Sequence, residues 1–357
     1  MSVSALPASA QKRLALLRAY RPGAAATTAA GKLSSNEAPL GPAPAVRQAI
    51  ADAADNAHRY PSADALASAL AKRAGLGDEQ VIVTNGSDEL CYLIATLFLE
   101  SGDRVVLSDP CYQIDELVTR VHRGSPVFVP LADGGHDLET IAREARTAVL
   151  VWLPTPHNPT GVAIEPAALE RFLEQVPATC VVVLDEAYLC YTDAALRTLA
   201  TALIVRHPNL IIQRTFSKAY ALAGLRVGYG FGSPEVMRAL NGIRPPFNVN
   251  VAAIAAARAA LENPAWRDYA VELVRRERTR LQQTLTELGF EFFPSQANFV
   301  TFRARDLPRL HRELLAAGLV ARDGRDLGLP GWMRVSIGAP PQMATLRSVL
   351  RHHRAAL

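Results

Sequence analysis

Lys218 is the residue with the clearest capacity for covalent chemistry in this sequence. Lys12, Lys32 and Lys72 are the other lysines, so every Lys or Arg side chain after position 72 except Lys218 is arginine. A guanidinium stays protonated and cannot form an imine, whereas an amine that loses its proton is a nucleophile. Lys218 follows the apolar run Leu210–Ile212, which predicts a buried strand. It is therefore either a nucleophile near a strand end or one charge on a solvated face.

A carboxylate follows the most apolar run of the chain. Asp185 and Glu186 come directly after Val181–Leu184, which predicts a second buried strand. A carboxylate at that point is at least partly buried, and its burial is costly unless a cation lies beside it. The cation could be a protonated pyridine nitrogen or the guanidinium of an arginine.

Two further loops offer groups for an anionic ligand. Asn85–Asp88 joins a predicted strand to a predicted helix, and backbone N–H groups at such a helix start suit a phosphate. The alternative is that Ser87 and Asp88 are simple N-caps. Asn158 lies in a loop with three prolines and a glycine, so its amide is held rigidly and can donate to a phenolate-type oxygen. We interpret His157 as a loop neighbour of Asn158 rather than a catalytic base.

The surroundings of Lys218 complete this set. Ser217 precedes it, and Arg226 lies beyond a bend that contains glycine. A phosphorylated aldehyde needs an amine to form an imine and nearby hydroxyl and guanidinium groups to neutralise its phosphate. The stretch 214–226 therefore predicts a site for such a cofactor.

Composition is typical of a globular protein. The chain has 357 residues, 49% of them hydrophobic, and a formal net charge of +4, which allows two domains and a large core. Basic and acidic residues are interspersed along the chain. No apolar run approaches the length of a membrane span. The four cysteines lack the spacing of metal ligands and resemble buried thiols of a reducing compartment. We expect a cytoplasmic protein with no nucleic-acid, membrane or metal partner.

Short apolar runs alternate with helical patterns through the middle of the chain, which predicts an α/β fold with a mainly parallel seven-stranded sheet sandwiched by helices. Ligands of such sheets bind at the carboxyl ends of strands. The predicted strands are Val81–Val83, Arg104–Leu107, Pro126–Val129, Ala148–Leu153, Cys180–Leu184, Asn209–Gln213 and Val227–Phe231.

The pattern changes after position 248. A long helical region, Val249–Leu288, is interrupted at Asn263–Pro264 and precedes a smaller α/β domain. We expect three parts: an N-terminal arm and small-domain segment at 1–48, a large cofactor-binding domain at 49–248 and a small C-terminal domain at 249–357. The predicted strands of the last part are Phe290–Phe293, Asn298–Arg303, Leu319–Arg322 and Met333–Ile337.

Five ordered motifs resemble the signature of fold-type I pyridoxal-phosphate aminotransferases of class I/II. They are Asn85–Leu90, Asn158–Gly161, Asp185–Tyr188, Thr215–Ala219 and Gly224–Arg226. Within this class the chain is most similar to the histidinol-phosphate aminotransferase family. The supporting segments are Arg18–Gly23, Ser35–Glu37, Arg59–Pro61, Pro294–Val300 and Met333–Gly338.

The resemblance implies the roles of the residues around the cofactor, pyridoxal 5'-phosphate. Lys218 would attach the cofactor and move the proton, and Asp185 would keep the ring nitrogen protonated. Asn158 and Tyr188 would bind the ring oxygen, with Tyr188 counted among the catalytic residues, and Tyr112 would stack on the ring.

Two further groups of residues are implied by the same resemblance. The phosphate would be surrounded by Gly86, Ser87, Asp88, Ser217 and Arg226, with Tyr60 reaching in from a second subunit of a homodimer. The substrate would be bound by Tyr20, Asn36, Asn158, Arg322 and Arg334. Arginines at the last two positions suit a phosphate or a carboxylate.

The resemblance implies transfer of an amino group from L-histidinol phosphate to 2-oxoglutarate. The alternatives are an aromatic or specialised-metabolism aminotransferase, an amino-acid phosphate decarboxylase that uses the same cofactor, and a catalytically idle relative. The family commonly has asparagine where His157 stands and an aromatic residue where Leu40 stands. We expect both positions to lie near the substrate's entry.

Overall fold

A seven-stranded sheet lies at the centre of the larger part of the molecule, in a computed structural model that describes residues 31–192 and 200–355. Tyr20 and most of the predicted arm lie outside the described residues. The strands are β1 Val81–Thr84, β2 Arg104–Asp109, β3 Ser125–Pro130, β4 Leu150–Pro154, β5 Val181–Asp185, β6 Leu210–Thr215 and β7 Gly228–Phe231.

The strand order is β1-β7-β6-β5-β4-β2-β3. Strands β2 to β6 pair in parallel, and β7 runs antiparallel to both of its neighbours, β1 and β6. The predicted mainly parallel seven-stranded sheet is therefore confirmed. Because the parallel strands end at one edge, the residues that follow β4, β5 and β6 come together there.

Helices cover both faces of this sheet. The helices of the described residues are α1 Pro44–Ala53, α2 Asp64–Ala74, α3 Ser87–Phe98, α4 Gln113–Val121, α5 Leu138–Ala145, α6 Pro166–Gln175, α7 Pro234–Ile243, α8 Val251–Glu262, α9 Pro264–Glu287, α10 Leu307–Ala316 and α11 Pro340–Ala355, with a further helical turn at 200–203. One apolar core joins α1, α2, α5, α6 and α8 to one face, and another joins α3, α4 and α7 to the other. Since β5 is buried on both faces, all five of its residues are buried.

A second sheet lies in the C-terminal part. Its strands are β8 Phe299–Arg303, β9 Arg322–Asp323 and β10 Trp332–Ser336, in the antiparallel order β8-β10-β9. The predicted break before Pro264 is confirmed, because α8 ends at Glu262 and α9 begins at Pro264. The domain boundaries stay a prediction.

Two predicted strands of this part differ from the structure. Phe290–Phe293 forms only a single bridge, Phe292 to Phe302, and Val320 pairs with Lys32 instead of extending β9. Both segments lie beside other backbone and share a few hydrogen bonds with it, including Phe293 N to Thr301 O and Leu33 N to Val320 O. Strand propensity alone does not determine how far such a segment pairs with its neighbour.

All four cysteines are free. Cys91 and Cys180 are buried, as predicted, whereas Cys111 and Cys190 are only half-buried. Among the described helices, none is both long and apolar enough to cross a membrane.

Candidate active site

A pocket of about 250 Å³ opens at the carboxyl ends of the parallel strands. Most residues predicted for the site line it, although they come from distant parts of the chain. They are Asn36, Ser87, Asp88, Tyr112, Asn158, Asp185, Tyr188, Ser217, Lys218, Arg226, Arg322 and Arg334. The fold therefore brings the Lys218 amine and the Asp185 carboxyl to one cavity.

Asp185 is the last residue of β5 and is 7% exposed. Its Oδ1 accepts a hydrogen bond from Ala187 N at 3.0 Å. Burial raises the pKa of Asp185 from 3.8 to about 7, although hydrogen bonds from Ala187 and Gln213 act in the opposite direction. A cation beside this carboxyl would favour its ionised form, so the position suits a protonated ring nitrogen.

The N-terminus of α3 forms another wall of the pocket. Gly86 precedes the helix with a φ of 77°, and a Cβ there would lie 2.6 Å from Arg226 Nη2. Arg226 Nη2 donates to Asp88 Oδ2 at 3.0 Å, and Tyr112 Oη donates to Asp88 Oδ1 at 3.1 Å. Free N–H groups, the helix dipole and a guanidinium thus meet at one point, which suits a phosphate.

The segment after β6 places a hydroxyl next to Lys218. Thr215 Oγ1 donates to Ser217 Oγ at 2.9 Å and accepts from Ser217 N at 3.1 Å. Lys218 Nζ lies 5.7 Å from the centre of the Tyr188 ring. Thr215 also lines the pocket. It was missed as a site residue, although its position two residues before Ser217 could have suggested this turn.

Arg334 fixes the amide of Asn158. Arg334 Nη1 donates to Asn158 Oδ1 at 2.7 Å, and its Nη2 donates to the backbone oxygen of Ser34 at 3.2 Å. Because the amide oxygen accepts from Arg334, the amide nitrogen of Asn158 is left to donate elsewhere. Ser34 was not predicted for the site, and only the tertiary pairing of its segment with β10 places it there.

Asn36 connects the same segment to Tyr188. Its Nδ2 donates to Tyr188 Oη at 3.0 Å, and its backbone N donates to Ser336 Oγ at 2.7 Å. Asn298 Nδ2 donates to the Asn36 backbone oxygen at 2.9 Å. These bonds hold the Tyr188 hydroxyl at the wall of the pocket.

Arg322 of the C-terminal sheet and Gln113 of α4 also line the pocket. Arg322 is 5% exposed and its Nε lies 3.8 Å from Asp326 Oδ2. Gln113 Nε2 donates to the backbone oxygen of Asp326. Gln113, with Cys111 and Leu327, lines the pocket and was missed, because a single residue outside a motif carries no signal of its own.

Residues 31–352 match the family described as aminotransferase class I and II. The chain belongs to this family. The predicted family, its fold and an aminotransferase activity are therefore confirmed.

Individual relatives of this aminotransferase are similar over most of its length. Histidinol-phosphate aminotransferase 1 of Dechloromonas aromatica (strain RCB) is 40% identical over 320 residues, which are 89% of this chain and 88% of the relative. The histidinol-phosphate aminotransferase of Moorella thermoacetica is 39% identical over 325 residues, 90% of this chain and 84% of the relative.

A solved structure agrees with the predicted cofactor. The histidinol-phosphate aminotransferase of Sinorhizobium meliloti, crystallised in complex with pyridoxal-5'-phosphate, matches with a TM-score of 0.83 and 31% identity. The match covers 92% of this chain and 91% of that chain.

Some predicted residues of the aminotransferase do not line the pocket. Gly86 lies next to Arg226, which does line the pocket. Tyr60 is 82% exposed and stacks on Phe247, with ring centres 4.5 Å apart. Tyr20 lies outside the described residues. Leu40 is half-buried and is not among the residues that line the pocket.

The side chain of His157 is buried and is not part of the pocket lining. It is fully buried, with Nδ1 2.9 Å from Thr160 Oγ1 and Nε2 3.1 Å from the Pro110 oxygen. Burial and the neighbouring His136 lower the pKa of His157 well below its usual value. Its side chain therefore does not line the pocket, although Pro156 and Asn158 on either side of it do, and its interpretation as a structural neighbour of Asn158 agrees with these contacts.

Proposed function

We propose that this chain is a pyridoxal-phosphate-dependent aminotransferase that transfers the amino group of L-histidinol phosphate to 2-oxoglutarate. The supporting observation for the donor is the pair Arg322 and Arg334, which are 5% and 6% exposed and line the same pocket as Lys218. Buried guanidinium groups in a small cavity suit a phosphate ester, and the same groups suit the carboxylate of the acceptor. The names of the relatives agree with this substrate.

The donor groups of the pocket fit the cofactor. Ser217, Arg226 and the N-terminus of α3 would hold its phosphate, and a Cβ at position 86 would lie 2.6 Å from Arg226 Nη2 and displace this guanidinium. Asp185 would face the ring nitrogen, because a cation beside this buried carboxyl would favour its ionised form.

The other wall of the pocket would hold the ring itself. Tyr188 and the amide nitrogen of Asn158 would donate to the ring oxygen, and Tyr112, fixed by Asp88, would pack on the ring. Arg334 and Asn36 would orient these donors through their own hydrogen bonds.

When bound, the cofactor supplies an aldehyde for the substrate amine and a ring that withdraws electrons from the substrate's α-carbon. Lys218 Nζ would take the proton from this carbon. Asp185, as a carboxylate, would keep a proton on the ring nitrogen that faces it. Arg322 and Arg334 would hold the anionic group of the substrate, so that the α-carbon stays within reach of Lys218.

We also propose that the enzyme is a cytoplasmic homodimer in which Tyr60 serves the partner's site. Tyr60 is highly exposed and absent from the lining of its own pocket, which suits a residue that is buried by a second copy.

This shared site is tested by mixing two variants, Tyr60→Ala and Lys218→Ala, each of which alone would have reduced activity. Mixing and refolding them together should restore activity, since one site of a mixed dimer then has both residues intact. Unchanged activity on mixing contradicts the shared site.

The donor is tested by a half-reaction screen. The cofactor-loaded enzyme is mixed with single amines, and the visible absorbance reports conversion of the cofactor from its aldehyde to its amine form. We expect L-histidinol phosphate to react faster than aromatic amino acids. If aromatic amino acids convert and histidinol phosphate does not, the proposed donor is wrong. Release of carbon dioxide from O-phospho-L-threonine would instead indicate the decarboxylase, and an absence of visible absorbance the idle relative.

The role of Lys218 is tested with Lys218→Ala, with Lys72→Ala on the exposed surface of α2 as a matched control. We expect the first variant to lose turnover by at least about 100-fold, because it lacks the group that moves the proton, and the second to keep it. Multiple turnovers by Lys218→Ala at the wild-type rate would contradict the assignment.

A further inference from the structure

A polar side chain lies in the apolar layer directly beside Asp185. Gln213 is in β6, in register with Asp185 of β5, and is 1% exposed. Residues in register on neighbouring parallel strands point to the same face of a sheet. That face is otherwise apolar: Val183 and Ile211, two residues earlier on each strand, belong to the core under α3 and α4. A buried amide at this place needs a partner for each of its ends.

Cys91 satisfies the oxygen end of this amide. Its Sγ–H on α3 donates to Gln213 Oε1 at 3.3 Å, and Cys91 is fully buried. Burial raises the pKa of the Cys91 thiol well above its usual value, so the proton needed for this bond stays on the sulfur. With its oxygen occupied by a donor, the Gln213 amide presents its N–H groups to the acceptor on the adjacent strand.

The acceptor in register with it on that strand is Asp185. Gln213 acts to lower the pKa of this carboxyl, which partly offsets the effect of burial. Ala187 N donates to Oδ1 from the following loop at 3.0 Å, so the carboxyl is held from its own loop, and the register places the Gln213 side chain beside it on the neighbouring strand. The ring of a bound cofactor would meet a carboxylate that is already oriented, and no reorientation would be needed at binding.

We propose that Gln213, itself oriented by Cys91, is a positioning residue that holds the Asp185 carboxylate toward the cofactor's ring nitrogen. This inference depends on the proposed function, because the orientation matters only if a cationic ring faces Asp185. It assigns a role to two residues outside the sequence motifs.

The first test compares Gln213→Leu, of similar volume, with wild type. We expect kcat to fall about tenfold while KM for the amine changes little, because the lost hydrogen bond acts on the charged carboxylate and not on substrate binding. The matched control is Gln282→Leu, which removes a half-buried amide bonded to the Ser295 oxygen in the other lobe. It should lower the melting temperature and leave kcat unchanged.

The second readout is independent of turnover. The affinity of the cofactor-free protein for pyridoxal phosphate is measured by fluorescence from pH 5 to 9. In Gln213→Leu the rise of affinity with pH should shift upward by about one pH unit, because ionisation of Asp185 becomes harder. Three other carboxyls that face Asp185, namely Asp88 on α3, Asp115 on α4 and the adjacent Glu186, are unchanged in both proteins.

Cys91 variants test the orientation of the Gln213 amide. They also replace the first test if Gln213→Leu does not fold. Cys91→Ser keeps a donor for Gln213 Oε1 and should behave as wild type, whereas Cys91→Ala loses it and should show part of the Gln213→Leu shift. Gln213→Leu should add nothing to Asp185→Asn, since it acts through that carboxylate.

Wild-type kcat and an unshifted affinity profile in Gln213→Leu, with only the loss of melting temperature seen in the control, overturn the inference. Equal behaviour of Cys91→Ser and Cys91→Ala overturns the part assigned to Cys91. A wild-type protein that does not bind pyridoxal phosphate rejects the proposed function and this inference together. A wild-type protein that binds the cofactor but prefers another amine rejects only the substrate.

Discussion

Asp185 should destabilise the cofactor-free protein as the pH rises. Its pKa is raised from 3.8 to about 7 by burial, so between these pH values the folded protein binds a proton that the unfolded chain has released. The free energy of unfolding therefore falls with increasing pH, by up to about 4 kcal/mol once both forms are ionised. The physical cause is the loss of hydration of a carboxylate at the end of a strand that is buried on both faces.

The neutral variant Asp185→Asn isolates this contribution. At pH 5 most of the folded protein carries a neutral Asp185, whereas at pH 8 the wild type buries a charge that the variant lacks. We expect the variant to gain about 2 to 3 kcal/mol relative to wild type between pH 5 and pH 8. Other titrating groups cancel because they are common to both proteins.

The measurement is urea unfolding of the cofactor-free proteins at several pH values, followed by tryptophan fluorescence. The control is Asp55→Asn, which changes an exposed carboxyl in the short helical turn that follows α1, and it should show no trend of this size. Saturating pyridoxal phosphate should reverse the order, because the ring cation compensates the carboxylate only in wild type. A difference between Asp185→Asn and wild type that stays constant from pH 5 to 8 would refute the argument, since Asp185 would then be ionised throughout.

Three other substitutions probe the support of the pocket. Gly86→Ala should weaken cofactor binding and lower the free energy of unfolding by about 1–3 kcal/mol, because a φ of 77° is unfavourable for alanine and the new Cβ would lie 2.6 Å from Arg226 Nη2. Fluorescence titration measures the affinity for the cofactor, and an unchanged affinity contradicts the steric reasoning. His157→Leu should lower the free energy of unfolding by about 1–3 kcal/mol through its lost buried hydrogen bonds, whereas a catalytic role would appear as a loss of kcat without a loss of stability. Arg214→Met should lower the free energy of unfolding by about 3–5 kcal/mol, because it removes the guanidinium that lies 2.7 Å from the buried Glu186 carboxylate. Adding Glu186→Gln should recover most of that loss, as measured by urea unfolding.

The two central residues of the pocket, Asp185 and Lys218, were predicted from short segments of sequence. Asp185 follows an unbroken apolar run, and Lys218 follows another with a serine before it, so their positions near strand ends follow from local pattern. Family motifs then assigned roles to both. The structure places them on one cavity, as expected, because parallel strands end at the same edge of the sheet.

Positions outside the motifs were predicted less well. His157 was expected near the substrate's entry because it departs from the family pattern, but it is a buried link to the Pro110 loop. The direction in which a loop side chain points depends on the packing of other segments, which its own sequence does not encode. Phe290–Phe293 lies beside β8 but forms only one bridge with it, because the extent of pairing depends on the neighbouring strand and not on the apolar run alone.

The sequence alone determined where strands end and which side chains follow them, because hydrophobic periodicity and turn residues act over a few positions. It also identified the family through contiguous motifs. Only the tertiary structure decided which strands are neighbours, and hence that Gln213 of β6 lies beside Asp185 of β5 and that Cys91 of α3 reaches it. Such pairings join residues far apart in the chain, and the packing of whole elements selects them, so no local pattern contains them.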